Sequence, residues 1–381
     1  MGSTTVVIIG ASCAGIPIAH ALLKDTPSVK VILINPASTF YFMIAAPRIL
    51  AKPKAFRSEQ YLLPIEREFA HYPKDVFEFV LGVATSISVD AKTVTVNNER
   101  IISFDYLVIA SGSTTRTMED DSGIPIPFKH PKSDNIQTLI EEAQQKISQA
   151  TRIIIAGAGP IGVETAGEIA EAAENRGADV HITLISATDR VLPVLKPRAS
   201  EVAEHRLKEK KVEIIKSRKV TGAIRSVDRS TWTVSLDNGQ SLHADIYIPT
   251  VGVIPNNSFI PQEFLDSQGW VKVDEELRVQ AGTGSKLPIF AAGDITNNSM
   301  KLSFKAAEQA AVVAANLRAE ITGKGKRRVY NQGKSIMMLV PIGSSGGTGQ
   351  IFGWIPWSSL VKMIKGKDFL ISRAHSIIAA S

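Results

Sequence analysis

Apolar residues in this chain gather into short continuous runs, and the two clearest runs each stop at a glycine. Thr5-Val-Val-Ile-Ile-Gly10 is the first and Thr151-Arg-Ile-Ile-Ile-Ala-Gly157 the second. Such a run has no solvent-facing alternation, so it reads as a strand covered on both faces in a parallel sheet. Behind the first glycine, Ile16, Ala19, Leu22 and Leu23 fall at helical spacing, and residues 29–34 turn apolar again. Behind the second, a helical pattern runs to about Asn175 and another apolar strand covers 180–185. Each stretch therefore opens a strand–helix–strand unit, and the chain is predicted to be α/β with two such folds.

The turns inside these units carry candidate chemistry. Gly157-Ala-Gly159-Pro160-Ile161-Gly162 is a complete GxGxxG between strand and helix, the context in which it binds a dinucleotide. Its first glycine permits the tight turn and its second lets the backbone approach a pyrophosphate. The third lets helix and strand pack closely, with the phosphates at the helix N-terminus. The earlier turn, Gly10-Ala11-Ser12-Cys13-Ala14-Gly15, has serine at the middle position, the smallest plausible replacement. Taken alone it fits either a dinucleotide site or a glycine turn of another α/β fold. At the end of the following strands, where a ribose is read, stand Asn35 in the first unit and Ser186 in the second. Asn35 is not the usual acid but can still hydrogen-bond a ribose 2′-hydroxyl; Ser186 is not the acid that repels a 2′-phosphate, and Arg190 is close enough to meet one, so use of both NADH and NADPH is expected.

Two further strands end in small residues. Residues 103–113 close on Ala110-Ser111-Gly112-Ser113, and Leu287-Pro-Ile-Phe-Ala-Ala-Gly-Asp294 closes on an acid. A carboxylate there can bond a ribityl hydroxyl or can cap a helix; the residues alone leave both readings open.

Composition narrows the class. A length of 381 residues suggests two or three domains, and 44% hydrophobic with 21% charged residues suits real buried cores. No run approaches the roughly 18–20 apolar residues of a membrane span, and no secretory pattern precedes the first strand, so an intracellular protein is expected. Val6 stands where a myristoylation signal needs Ser or Thr, so no such anchor is expected on Gly2. Cys13 is the single cysteine, which excludes an internal disulfide and any CxxC dithiol. The net charge of +6 indicates attraction to anions without choosing among them.

Taken together, the two glycine units, the Ala-Ser-Gly-Ser turn and the Phe-Ala-Ala-Gly-Asp strand resemble the two-dinucleotide-binding-domain flavoproteins. More narrowly, the chain resembles NAD(P)H:quinone oxidoreductases of the apoptosis-inducing-factor-like, ferroptosis-suppressor type. That likeness rests on Phe40-Tyr-Phe-Met-Ile-Ala-Ala-Pro47-Arg48, on Lys301-Leu-Ser-Phe-Lys-Ala-Ala-Glu-Gln-Ala310, and on Gly346-Gly-Thr-Gly-Gln-Ile-Phe-Gly353 with Lys365-Gly-Lys-Asp-Phe-Leu370. The resemblance implies FAD and NADH or NADPH as cofactors, with hydride passing from the nicotinamide to the flavin. It implies an FAD domain of residues 1–118 and 250–330 interrupted by an NAD(P)H domain of 119–249. Residues 331–381 would then complete the flavin pocket. By likeness, Glu164 orients the nicotinamide, Lys301 lies beside the flavin, and Pro47 and Arg48 adjoin the FAD. Arg48 would pair with phosphate or cover the ring. Ala84 meets the adenine through its backbone, and Gly252, on the strand that returns to the first domain, is counted with the binding residues.

The acceptor is less constrained. The resemblance favours a quinone, and the ending Ile351-Phe-Gly-Trp-Ile-Pro-Trp357, followed by lysines, could lie on a membrane surface or pack on the FAD domain. Alternatives are a ferredoxin, docked on the basic stretch around Lys208–Lys219, and oxygen. A nucleic-acid-binding or pro-apoptotic signalling role has only Lys324-Gly-Lys-Arg-Arg328 and general basicity behind it, and nucleic acid is not expected as a partner.

Overall fold

A computed structural model describes residues 3–118, 125–228, 230–282 and 286–379. The expected start of the inserted block at residue 119 lies outside the described residues, as do Met1 and Gly2. The apolar run Thr4–Ile9 is a central strand, flanked in parallel by Val29–Asn35 and Tyr106–Ile109. Phe77–Leu81 and Ile289–Ala291 extend the sheet at its two edges. Val6, Val7 and Ile8 are fully buried, which is why the run shows no polar alternation. The helix Gly15–Asp25 packs against the later helix Ser303–Thr322. A three-stranded antiparallel meander, residues 84–103, accompanies this sheet.

The second unit repeats the plan. Arg152–Ala156 lies between His181–Ile185 and Ile246–Pro249, with Glu213–Ile215 outside His181–Ile185, all parallel. Its helix, Pro160–Arg176, has proline in its first turn and ends on Gly177 at φ +63, the left-handed stop that glycine adopts most easily. A second antiparallel meander covers residues 220–244. The second sheet is completed before Ile289–Ala291 returns to the first. One apolar cluster runs without a break from Val6 and Ile8 through Phe42 and Ile49 to Ile155 and Val163, so the two units share a core.

Beyond the long helix the chain forms a hairpin, Met338–Pro341 with Gly347–Gln350, then a short helix Ser358–Val361 that continues into a π-helical turn Lys362–Gly366. The final helix Ala374–Ile378 lies on Gly15–Asp25. Burial lowers the pKa of His20 to about 4, so its neutral ring donates from Nε2 to the Ile378 carbonyl at 2.9 Å. No helix among the described residues is long and apolar enough to cross a membrane.

Candidate active site between the two sheets

Parallel strands leave their backbone amides and helix N-termini at the carboxyl edge, and a cavity of about 710 Å³ opens there. Its floor is made by the residues that follow the first-sheet strands: Gly10–Ala14, Asn35, Gly82–Ala84, Ser111–Ser113 and Gly293–Asp294. Gly10 has φ +108, and a Cβ there would collide with the Ala110 carbonyl; a Cβ on Gly15 would collide with the Gly10 carbonyl. The turn is therefore as tight as backbone alone allows. Asn35 uses both ends of its amide on this turn. Its Oδ1 accepts from Ala11 N–H at 2.9 Å and its Nδ2 donates to the Ala37 carbonyl at 2.7 Å. Asparagine rather than an acid at this strand end thus has a local cause, since a carboxylate could not make the second bond.

Asp294 sits in a short 3-10 turn and caps no helix. Its Oδ2 accepts from Ser113 Oγ at 2.9 Å and from Lys129 Nζ at 2.5 Å. Burial acts to raise its pKa, but the charge and hydrogen bond of Lys129, the Ser113 hydroxyl and the Lys301 charge outweigh that and hold it below the usual carboxylate range. Lys129, which no motif singled out, thus becomes part of the site. Lys301 lines the cavity, and its ammonium is engaged by its own loop. It donates to the carbonyls of Asp294 (2.5 Å) and Thr296 (2.8 Å) and lies 3.5 Å above the Trp270 ring. Burial brings its pKa down to about 8.

The second unit supplies the opposite wall through Pro160, Ile161 and Glu164. Glu164 is buried rather than an exposed first-turn acid. Its Oε1 accepts from Lys365 Nζ at 2.6 Å, so the C-terminal segment delivers a cation to the cavity. Burial raises the Glu164 pKa against the lowering effect of Lys365. Pro47 also lines the cavity, but Arg48 does not. Arg48 is expected to meet a phosphate or cover a ring; in the structure its guanidinium instead turns into the protein. It makes a two-pronged pair with Glu168, 2.8 Å on each prong, on the same helix as Glu164. That pairing leaves it only 4% exposed.

The remaining candidates of the second unit lie outside this cavity lining. A Cβ on Gly162 would collide with the Gly157 carbonyl, repeating the geometry of Gly15, whereas a Cβ on Gly159 would meet nothing within 4 Å. Ser186 Oγ donates to the Arg190 carbonyl at 2.8 Å, and Arg190 Nη2 donates to the Pro193 carbonyl at 2.9 Å, which folds the ribose-end loop onto itself. Gly252, at φ +69, lies beyond the second sheet, just before the short pairing of residues 254–255 with 113–114. Ser111 Oγ donates to the Asn256 carbonyl and Asn256 Nδ2 donates back to the Ser111 carbonyl, closing the same junction.

Residues 4–310 match the pyridine nucleotide-disulphide oxidoreductase family. The chain belongs to that family. Relatives include oxidoreductase ptaL of Pestalotiopsis fici, 36% identical over 96% of each chain. Human ferroptosis suppressor protein 1 is 24% identical, covering 100% of this chain and 97% of the relative. Among solved structures, the sulfide:quinone oxidoreductase of Aquifex aeolicus superposes with a TM-score of 0.78 at 18% identity, over 100% of this chain and 93% of that one, and shares the fold. The pyridine nucleotide-disulphide oxidoreductases are FAD-binding NAD(P)H oxidoreductases, and FAD and NAD(P)H are the cofactors of this chain. The residues present fit the flavin: a glycine cradle too tight for any side chain, and an ionised Asp294 at the adjoining strand end.

The geometry makes two predictions. Gly162→Ala should lower the melting temperature sharply, while Gly159→Ala should leave melting unchanged and raise KM for the pyridine nucleotide about tenfold; thermal scans and steady-state kinetics of both variants separate the effects. Asp294 has a lowered folded pKa, so its stabilising contribution is present above the ordinary carboxylate value and is lost as pH falls through the lowered one. The difference in melting temperature between the wild type and Asp294→Asn should therefore shrink as pH is taken from about 5 to about 3.

Proposed function

We propose that this flavoprotein is an NAD(P)H:quinone oxidoreductase. The observation that carries the reading is the apolar part of the cavity lining, where Met43, Ile44, Val194, Met300, Ile336 and Met338 present flexible apolar surface. Such a wall accommodates a flat, uncharged ring system, and methionine adapts to its outline. A disulfide acceptor is disfavoured despite the family's description. Cys13 has no thiol partner, and burial raises its pKa to about 11, so it stays protonated within the FAD turn.

FAD, when bound, accepts a hydride from NAD(P)H and returns two electrons to the acceptor. The chain's own part is to bind and orient. Gly10–Gly15 and the N-terminus of Gly15–Asp25 hold the FAD pyrophosphate, and Asp294 holds a ribityl hydroxyl. Gly157–Gly162 holds the NAD(P)H pyrophosphate. Pro160 and Ile161 shield the reacting faces from water. Glu164 accepts a hydrogen bond from the nicotinamide amide, with Lys365 holding the carboxyl group in place. Reduction of a quinone also takes up two protons; one comes with the hydride of NAD(P)H and the other from solvent, for which Lys365 Nζ is a donor lining the cavity that solvent reprotonates.

An uncharged acceptor of this kind would reach the cavity from lipid. In support, Phe352, Trp354, Trp357 and Met363 are exposed on the C-terminal segment beside Lys362 and Lys367, the mixture of aromatic and basic residues that partitions to an interface. Trp354 and Trp357 meet edge to face at 5.6 Å. Replacing both with serine should at least halve the fraction sedimenting with anionic phospholipid vesicles; undiminished sedimentation would remove this route.

Stopped-flow mixing of the yellow holoprotein with NADH or NADPH, followed by a short-chain ubiquinone, a ferredoxin or air, tests the acceptor. Fast bleaching and fast reoxidation by the quinone are expected. Reoxidation confined to ferredoxin or oxygen would leave the flavoenzyme standing and reject the quinone. Glu164→Gln should slow bleaching roughly 10- to 100-fold; an unchanged rate would remove its orienting role.

A further inference from the structure

We infer that Arg48 is a positioning residue, a latch that holds the strained C-terminal turn 362–370 so that Lys365 reaches Glu164. The inference rests on the proposed role of the Glu164–Lys365 pair and explains how that pair is assembled from residues 201 positions apart.

The turn is an improbable piece of backbone. Lys362–Gly366 is π-helical, a form that occurs mostly as single turns at functional sites. Phe369 and Leu370 follow with φ of 51° and 61°. Two consecutive non-glycine residues in the left-handed region persist only where their surroundings over-determine them. Asp368 supplies part of that support, accepting from Leu370 N–H at 2.9 Å and Ser372 N–H at 3.3 Å. The rest comes from Arg48. Its Nη1 donates to the Lys367 carbonyl at 2.9 Å, and its guanidinium lies 4.6 Å from the centre of the fully buried Phe369 ring.

The same ring is shared. Lys365 Nζ lies 5.4 Å from the Phe369 centre, donates to Glu164 and also donates to the Leu339 carbonyl at 3.1 Å. Arg48 in turn is fixed by both oxygens of Glu168, one helical turn beyond Glu164. Two carboxylates four residues apart therefore act on one object. Glu168 anchors the arginine that clamps the turn, and Glu164 receives the lysine the turn carries. The clamp uses all three nitrogens of the guanidinium, Nε and Nη2 toward the carboxylate and Nη1 toward the carbonyl, a planar fork that lysine cannot reproduce. Lys52 Nζ also reaches Glu168, at 2.8 Å, so that carboxylate keeps one cation when Arg48 is changed.

The test uses holoprotein of Arg48→Met, Arg48→Lys, Lys365→Met and the Arg48→Met/Lys365→Met double variant. Amide hydrogen exchange is read at residues 362–370 against the strand Arg152–Ala156, and flavin bleaching by NAD(P)H is read across pH. Arg48→Met should speed exchange in 362–370 about tenfold or more and leave the strand unchanged. Bleaching should fall to the rate and pH profile of Lys365→Met, and the double variant should be no slower than either single one. Arg48→Lys, which keeps a charge beside Glu168, should release the turn in the same way and serves where the methionine variant does not fold. Wild-type protection of 362–370 in both arginine variants, or losses that multiply in the double variant, would overturn the latch. If Lys365→Met bleaches as fast as wild type, the proposed role of the Glu164–Lys365 pair fails instead, and the exchange result alone decides whether Arg48 holds the turn.

Discussion

Burying a carboxylate without a partner is so unfavourable that a chain which does it three times on one helix has little freedom left. Glu164, Glu168 and Glu171 are all buried on Pro160–Arg176. Each meets cations from other segments, with Lys52 shared between Glu168 and Glu171. Glu164 takes Lys365, Glu168 takes Arg48 and Lys52, and Glu171 takes Lys52, Lys210 and the Ser344 amide. Removing one partner of such a pair costs about 3–5 kcal/mol, because the remaining charge stays in place. The column thereby dictates where the short helix Ala46–Ala51, the hairpin loop at Ser344 and the C-terminal turn must lie. The family's second glycine helix serves as the post around which the other parts are registered.

The cavity depends on that registration. Its floor comes from first-sheet turns and its far wall from Pro160, Ile161 and Glu164, so a shift of one unit against the other would open or close it. Apolar packing across the shared core resists sliding but has no direction. The ion pairs supply direction, since a bidentate guanidinium tolerates little rotation. Division of labour between the two is visible in Pro47 and Arg48, adjacent residues of which one faces the cavity and the other the column.

Much of this was legible in the sequence, and the reason is locality. Strand, glycine turn and helix lie within about thirty residues of one another in each unit, so periodicity and spacing are enough to find them. Asp294 was legible for the same reason, as the end of a short buried strand. What the residues did not announce are pairings between distant segments: Lys129 with Asp294 across 165 positions, Arg48 with Glu168 across 120, Lys365 with Glu164 across 201. A lysine or arginine carries no local mark of the acid it will meet. The resemblance that puts Arg48 next to the FAD therefore carries no sign of Glu168, and the one that puts Lys301 beside the flavin carries no sign of the carbonyls its own loop offers.

The sole thiol offers one more consequence. Cys13 is walled into the first glycine turn, protonated at neutral pH and without a second cysteine to pair with. A catalyst of electron transfer that has no exchangeable sulfur is decoupled from the glutathione and thioredoxin poise around it. Its activity should be the same with and without dithiothreitol, which would let it run unchanged in compartments whose thiol–disulfide balance differs or drifts.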